Sequence, residues 1–221
     1  MNMMKDPDTK ETSATHGAYF QLRDMILTGE LAAGKKLKIE QLRSLLHLGA
    51  SPVREALSLL TSDKLVERID QRGFRAAPVS KENFAEILML RCTLEDMALR
   101  ASITNADAAW EERLVLSHYH MNKATGDDVA AFETAHKAFH MALIGNANLP
   151  MLVGYCAQLY DLNIRYRYLA AGGASYQKRS IKAEHQDIVD AALAQNTDRA
   201  CDLLLSHYRR TGEYLSRQMD A

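Results

Sequence analysis

The sequence after Ser80 is dominated by one pattern: apolar residues recur at helical spacing, and strand-like alternation is absent. Six stretches carry the pattern, at about 81–103, 107–123, 127–146, 149–170, 177–195 and 197–218, and Gly172-Gly173 interrupts it. Helical stretches of this length, joined by short connections, bury one shared core. The pattern therefore predicts an all-helical bundle over residues 81–218.

The preceding residues carry three shorter helical runs. The first starts at Thr15 and ends just before Gly29, and the second spans about 39–46. The third is expected to begin with Ser51 as its N-cap and Pro52 at the first helical position, where the missing N–H of proline costs nothing.

A hairpin is expected after the third helix. Residues 65–69 and 74–79 read as short strands, and the turn between them contains Gly73. Three helices followed by a hairpin is the order of a winged helix-turn-helix. We therefore expect a mainly α protein with a disordered tail at 1–14, a DNA-binding domain at 15–80 and an all-helical domain at 81–218.

The third helix is the expected reader of DNA. Arg54 lies in its first turns, where an arginine can form two parallel hydrogen bonds to guanine. Because the formal net charge is only −1, DNA binding requires that the cations cluster on one face. Phosphate contacts are expected from Ser51, Lys35, Lys36, Lys38 and Arg43, and a contact with an adjacent groove from Arg72 and Gly73 at the hairpin tip. The alternative is that Arg54 pairs with a neighbouring acid and that the lysines are ordinary solvated surface.

Four of the eight histidines form a pattern of their own. His136 and His140 are four residues apart, hence on one face of a helix, and two imidazoles at that spacing can share one metal ion. His185 and His207 lie in the next two helical runs and can face this pair if those helices pack antiparallel. The spacing does not by itself distinguish a metal site from histidines that are satisfied in the core or at the surface.

Three segments resemble the GntR family of transcription regulators: Ile26–Leu31, Pro52–Leu57 and Gln71–Arg75. The second half resembles the FadR-type branch of that family, which carries an FCD ligand domain. Within the branch, the run Leu159–Tyr168 and the His-x-x-Phe-His stretch are most similar to the carbon-starvation-induced regulator group. The chain departs from the family at Gly49-Ala50, where a Ser-Arg pair is usual, so the operator sequence cannot be carried over.

The resemblance implies a metal site in the helical domain. An FCD domain typically holds its metal with an aspartate and three histidines, and the acid lies one helical turn before the first histidine. By position this chain has His136 in place of the acid, followed by His140, His185 and His207. Because nitrogen-rich sites suit zinc, nickel or copper better than magnesium or calcium, the expected cofactor is a divalent transition metal such as zinc or nickel.

The resemblance also implies a small carboxylate effector and a homodimer on a palindromic operator. A bidentate arginine is expected to hold the far end of the acid. Arg91 is one candidate, and Arg165 is preferred to Arg167 because residues two apart on a helix face different ways. Each could instead be a surface arginine. Analogy with the group suggests a glutarate-type dicarboxylate of about five carbons as the effector.

No catalytic signature accompanies this pattern. The chain has no HExxH, no nucleophile elbow, no phosphate loop and no nucleotide fingerprint. It also lacks a signal-peptide core and an apolar run long enough for a membrane, and its three cysteines form no CxxC pair. We therefore expect a cytoplasmic repressor that is not an enzyme. The competing hypotheses are a metal-dependent enzyme with a fused DNA-binding domain, and a DNA-binding or adaptor protein with inert histidines.

Overall fold

The protein is described from a computed structural model that covers residues 7–70, 72–124, 129–170 and 181–219. Its contacts divide the chain into two compact units. The first comprises the residues up to Ser80 together with Ile164–Leu169, and the second comprises Lys81–Asn163 and the residues from Ala170 onward. The mainly α fold class predicted from the sequence is confirmed.

The first unit contains three helices and a small sheet. Helix α1 spans Pro7–Thr28, α2 spans Ile39–Leu46 and α3 spans Ala50–Ser62. Strands β1 (Lys36–Leu37), β2 (Val66–Ile69) and β3 (Gly73–Ala76) form an antiparallel sheet in the order β1-β3-β2. The hairpin of β2 and β3 was predicted, whereas β1 was not, because two residues are too few to show alternation.

Helix α1 is longer than the sequence indicated. It begins at Pro7, so the predicted disordered tail is wrong for residues 7–14, while residues 1–6 lie outside the described part of the chain. The helix packs against α3 through a buried core to which Leu22, Ile26 and Leu57 belong. At the edge of this packing Thr15 Oγ1 donates a hydrogen bond to Glu55 at 2.9 Å. This contact orients α1 on the helix that carries Arg54.

The start of α3 also differs from the prediction. Gly49 is the N-cap and makes no side-chain cap, so Ser51 and Pro52 lie within the first turn. Pro52 is tolerated there because the first four N–H groups of a helix have no intrahelical acceptor. The expected N-cap role of Ser51 is therefore wrong, and Ser51 is an exposed first-turn residue.

The hairpin depends on Gly73 at its tip. The φ angle of Gly73 is +94°, a conformation that side chains disfavour, and Arg72 N donates to Ile69 O at 2.9 Å to close the turn. Phe74 and Ala76 of β3 point inward and are buried. The second strand ends at Ala76, three residues earlier than predicted.

The second unit is helical throughout its described residues. Its helices are α4 (Lys81–Thr104), α5 (Ala108–Lys123), α6 (Val129–Ile144), α7 (Pro150–Ala170, whose end groups with the first unit), α8 (Ile181–Leu193) and α9 (Thr197–Gln218). Each matches a predicted stretch within a few residues, although Gly172-Gly173 and residues 177–180 lie outside the described residues. Trp110 is fully buried and its Nε1 donates to Ala142 O at 2.9 Å. None of the helices in the described ranges is long and apolar enough to cross a membrane.

Candidate metal and effector site

Four histidines from three helices of the second unit meet in its interior. Helix α6 supplies His136 and His140, α8 supplies His185 and α9 supplies His207. All four are buried, and one nitrogen from each lies within 4.8 Å of the others. The sequence therefore predicted correctly which histidines come together.

The local sequence explains this meeting. His136 and His140 share one face of α6 because they are one turn apart. Helices α8 and α9 are joined by the short connection 194–196 and pack against each other, so His185 and His207 can reach the same point. Fully buried apolar residues, among them Phe139 and Leu204, surround the imidazoles.

Two of the distances within the cluster fit ligands that share one cation. His136 Nε2 lies 3.1 Å from His140 Nε2 and 3.3 Å from His185 Nε2. A ring nitrogen carries either one hydrogen or one lone pair, so His136 Nε2 cannot form two full N–H···N bonds. With metal–nitrogen bonds of about 2.1 Å, the donors of an octahedral or tetrahedral site are about 3.0–3.4 Å apart. The contacts therefore fit nitrogens that point their lone pairs at one ion.

Oxygen atoms hold the outer sides of the imidazoles. His136 Nδ1 lies 2.6 Å from Tyr160 Oη, and His207 Nδ1 lies 2.8 Å from a carboxylate oxygen of Glu184. Because a carboxylate only accepts, His207 donates from Nδ1, and a neutral His207 therefore has its lone pair on Nε2. Such partners orient metal-binding imidazoles and fix their tautomers.

His140 is fixed through a tyrosine and a buried glutamate. Tyr208 Oη lies 2.9 Å from His140 Nδ1 and donates its single hydrogen to Glu95. Burial and then the neighbouring Glu95 raise the pKa of Tyr208 well above its usual value, so the hydroxyl stays protonated. Since that hydrogen points at Glu95, Tyr208 accepts from His140 Nδ1–H, and the lone pair of His140 lies on Nε2.

Arg91 lies next to this network and is itself buried, with 4% of its surface exposed. Its Nε donates to Glu95 at 2.8 Å and its Nη1 donates to Asn163 Oδ1 at 3.0 Å. Burial lowers the pKa of Arg91, but Glu95 and Tyr208 outweigh burial and raise it, so the group stays charged. The rings of Tyr160 and Tyr208 lie 5.0 and 4.3 Å from the guanidinium carbon. Its Nη2 is buried and has no hydrogen-bond partner, so this nitrogen of Arg91 is available to a ligand.

The other predicted effector residue, Arg165, lies in the part of α7 that groups with the first unit. Its Nη2 donates to the main-chain carbonyl of Ala77 at 2.6 Å, and burial lowers its pKa. The structure therefore brings Arg91 together with the histidine cluster within the second unit. Arg165 groups with the first unit and has one guanidinium nitrogen on the main chain, and its assignment to the effector stays a prediction.

Sequence reasoning missed the residues that support the cluster. Glu95, Tyr160, Asn163 and Tyr208 act through packing between helices, which spacing within one helix cannot show. A weak signal existed for Glu95, which follows Arg91 by one helical turn.

The predicted DNA-contacting residues lie on the surface of the first unit. Ser51 and Arg54 are exposed on α3, and no ion pair involving Arg54 is present among the described residues. Lys35, Lys36 and Lys38 are exposed around β1. The exposed Arg43, Arg72 and Gly73 complete the set, and Arg43 pairs with Glu40 at 3.0 Å.

The hairpin carries two further arginines that the sequence reasoning did not assign. Arg68 and Arg75 line one open depression together with Arg72 and Asp70. Arg75 pairs with Glu67 on the neighbouring strand at 2.6 Å, and the guanidinium of Arg68 lies 5.9 Å from the centre of the Phe74 ring. The hairpin therefore presents a cationic surface.

Both halves of the chain match known protein families. Residues 14–75 match the family of bacterial regulatory proteins called gntR, and residues 86–210 match the FCD domain. The uncharacterized HTH-type transcriptional regulator BphR of Paraburkholderia xenovorans (strain LB400) is 36% identical over 208 residues, which cover 91% of this chain and 84% of that protein. The HTH-type transcriptional repressor GlaR of Escherichia coli (strain K12) is 28% identical over 197 residues, covering 86% and 90%.

Solved structures show the same fold. The E. coli protein McbR/YncC matches with a TM-score of 0.81 at 21% identity, over 93% of this chain and 98% of that chain. A putative GntR regulator from Rhodococcus sp. RHA1 matches with a TM-score of 0.75, also at 21% identity, over 92% and 97%. With a winged helix-turn-helix in front and an FCD domain behind, the chain belongs to the GntR family of DNA-binding transcription regulators, in its FadR-type branch.

Proposed function

We propose that this regulator is a homodimeric, cytoplasmic repressor that binds a palindromic operator and responds to a small organic acid at a metal site in its FCD domain. One observation carries the proposal: four buried imidazoles converge beside a buried arginine that has one open donor. Neither feature is needed to fold a helical bundle. Together they supply a cation site and a carboxylate site in one interior.

The first unit supplies DNA recognition. Arg54 is exposed on the first turns of α3, from which it can form a bidentate contact with guanine worth about 1–3 kcal/mol of discrimination. Ser51, Lys35, Lys36, Lys38 and Arg43 bind phosphates, and Arg72 and Gly73 of the hairpin reach the adjacent groove. Because Gly49 and Ala50 carry no polar side chain, recognition depends on Arg54 more than in relatives that have the usual Ser-Arg pair.

His136, His140, His185 and His207 hold the metal. Four neutral nitrogen donors favour zinc or nickel over magnesium or calcium, which prefer oxygen. The hydrogen bonds that His140 Nδ1 donates to Tyr208 Oη and that His207 Nδ1 donates to Glu184 support this assignment, because they leave a lone pair on Nε2 of each neutral imidazole. When bound, the ion would supply a Lewis-acidic position for one carboxylate of the effector.

Arg91 holds the acid at its other end. Its Nη2 is a buried donor with no acceptor, which normally costs about 1–3 kcal/mol, and a carboxylate would remove that cost. Glu95 already balances the charge of Arg91. The charge of the acid is therefore compensated mainly by the cation. A glutarate-type dicarboxylate, suggested by the likeness to the carbon-starvation-induced group, has one carboxylate for each end.

The acid regulates DNA binding because it binds two arrangements of the protein with different affinity. Linkage requires that the operator and the acid change each other's affinity by the same factor, typically about 5–150-fold. The acid is a signal and not a substrate, so metal-loaded protein leaves it chemically unchanged.

A DNA-binding titration tests the proposal. Duplexes selected by the protein from a random-sequence pool serve as operator, and the metal-loaded protein is titrated with and without glutarate, 2-hydroxyglutarate and succinate. We expect steep weakening of DNA binding with salt, a change in operator affinity with at least one acid, and loss of that change in Arg91→Ala. If none of the acids changes operator affinity, the proposed sensing function is wrong.

A further inference from the structure

Helix α7 contributes residues to both units of the chain. Asn163 belongs to the second unit, and the next three residues, Ile164, Arg165 and Tyr166, belong to the first. All four side chains are buried, with between 2% and 6% of their surface exposed. A turn of helix that is buried in this way cannot shift without moving its neighbours, because packed interiors deform little.

The turn begins at the effector arginine. Asn163 Oδ1 accepts a hydrogen bond from Arg91 Nη1 at 3.0 Å, and the adjacent Nη2 has no partner. A carboxylate that binds Nη1 and Nη2 in a fork competes with this amide oxygen for Nη1. The exchange favours the acid, because two hydrogen bonds between ionised groups replace one bond to a neutral amide oxygen. Glu95 on Nε need not move, since it holds a different edge of the guanidinium.

The same turn ends at the segment that follows the hairpin. Arg165 Nη2 donates to Ala77 O at 2.6 Å, and Tyr166 Oη accepts from Ser80 N at 3.4 Å. Residues 77–80 connect β3 with α4, so α7 holds both ends of the connecting segment. Arg165 therefore holds the connecting segment through its main-chain contact.

We propose that Asn163 is the switch residue of the regulator: the acid displaces its amide from Arg91, and the released turn of α7 changes its hold on residues 77–80. The inference rests on the proposed function, since it requires that an acid binds at Arg91. The contact that breaks is Asn163 with Arg91, and the contacts that transmit the change are those of Arg165 and Tyr166 with residues 77–80.

The test combines two measurements on metal-loaded full-length protein. Calorimetry gives the affinity for glutarate, with 2-hydroxyglutarate and succinate for comparison, and fluorescence anisotropy gives operator affinity with and without the same acids. In Asn163→Ala the acid has no amide to displace, so we expect acid binding at least twofold tighter than in the wild type and an effect of acid on operator affinity below twofold. In Asn163→Asp the near-isosteric carboxylate stays on Arg91, so we expect acid binding to weaken more than tenfold.

Asn122→Ala is the matched control, because Asn122 contacts His118 on α5 and lies outside the network. It should respond to acid as the wild type does. A full acid response in Asn163→Ala, or wild-type acid affinity in Asn163→Asp, overturns the switch role and leaves the proposed function standing. A wild-type protein that responds to none of the acids overturns both. If Asn163→Ala does not fold, Asn163→Asp decides the question alone.

Discussion

Replacing Tyr208 with phenylalanine removes one oxygen atom that connects the two halves of the candidate site. The hydroxyl donates to Glu95 and accepts from His140 Nδ1, whereas the ring lies over Arg91. Phenylalanine keeps the ring and its volume, so no cavity forms and the cation–π contact at 4.3 Å remains. Any effect of the substitution therefore reports the two hydrogen bonds.

The expected loss of stability follows from the hydrogen-bonding groups that lose their partner when the hydroxyl is removed. Glu95 is fully buried and keeps Arg91 Nε as a donor to its other oxygen, while His140 Nδ1 loses the acceptor described here. Each buried polar atom left unsatisfied costs about 1–3 kcal/mol, so for two such atoms we expect the free energy of unfolding to fall by about 2–6 kcal/mol. Loss of an oxygen partner from a metal-binding imidazole typically costs about 10–100-fold in metal affinity. Zinc affinity should fall by that factor.

Two assays measure these quantities. Urea unfolding of metal-free protein gives the stability change, and competition with a zinc-binding dye gives the zinc dissociation constant. Tyr155→Phe is the control, because Tyr155 is exposed on α7 and its substitution should change neither value. Zinc affinity of Tyr208→Phe within twofold of the wild type would refute the reasoning that Tyr208 orients His140 for a metal. A fall in stability alone would mean that the hydroxyl serves only the fold.

Three further predictions concern the rest of the chain. Arg54→Ala should lower the affinity for selected duplexes by at least tenfold. Thermal unfolding should not change, because the side chain is exposed. An unchanged sequence preference in anisotropy titrations would show that α3 does not read the DNA sequence. Gly73→Ala should lower the free energy of unfolding by about 1–2 kcal/mol in urea titrations, since φ is +94° and nothing crowds the site; equal stability would argue against the turn geometry. Burial raises the pKa of Cys156 and Cys201 to about 12, so at pH 8 only about one part in ten thousand of either is thiolate. Native protein should therefore react with a thiol reagent at no more than one cysteine, Cys92, and rapid reaction of all three would contradict the buried placement.

Sequence reasoning succeeded where a pattern is long and periodic. The six helical stretches after Ser80 and the histidine spacing on α6 are of this kind, and helical period alone locates them. Helix boundaries were less secure. Ser51 and Pro52 look like the start of a helix, yet α3 begins two residues earlier than expected, because any early position without an intrahelical acceptor accommodates proline.

The supporting residues of the site lay beyond the reach of the sequence. Tyr208 contacts Glu95 across 113 positions of the chain, and Asn163 contacts Arg91 across 72. Such pairs are created by helix packing and have no signature in spacing. The contact of Arg165 is of the same kind, since its guanidinium donates to the carbonyl of Ala77 across 88 positions.

The central claim is that four imidazoles form one cation site, and a zinc titration tests it most directly. Chelator-treated wild-type protein and His136→Ala are titrated with zinc in a calorimeter, and magnesium is titrated in parallel. The account predicts one zinc ion per chain, no measurable magnesium binding, and at least tenfold weaker zinc binding in His136→Ala. A wild-type protein that binds no zinc, or a variant that binds it equally well, would contradict the account.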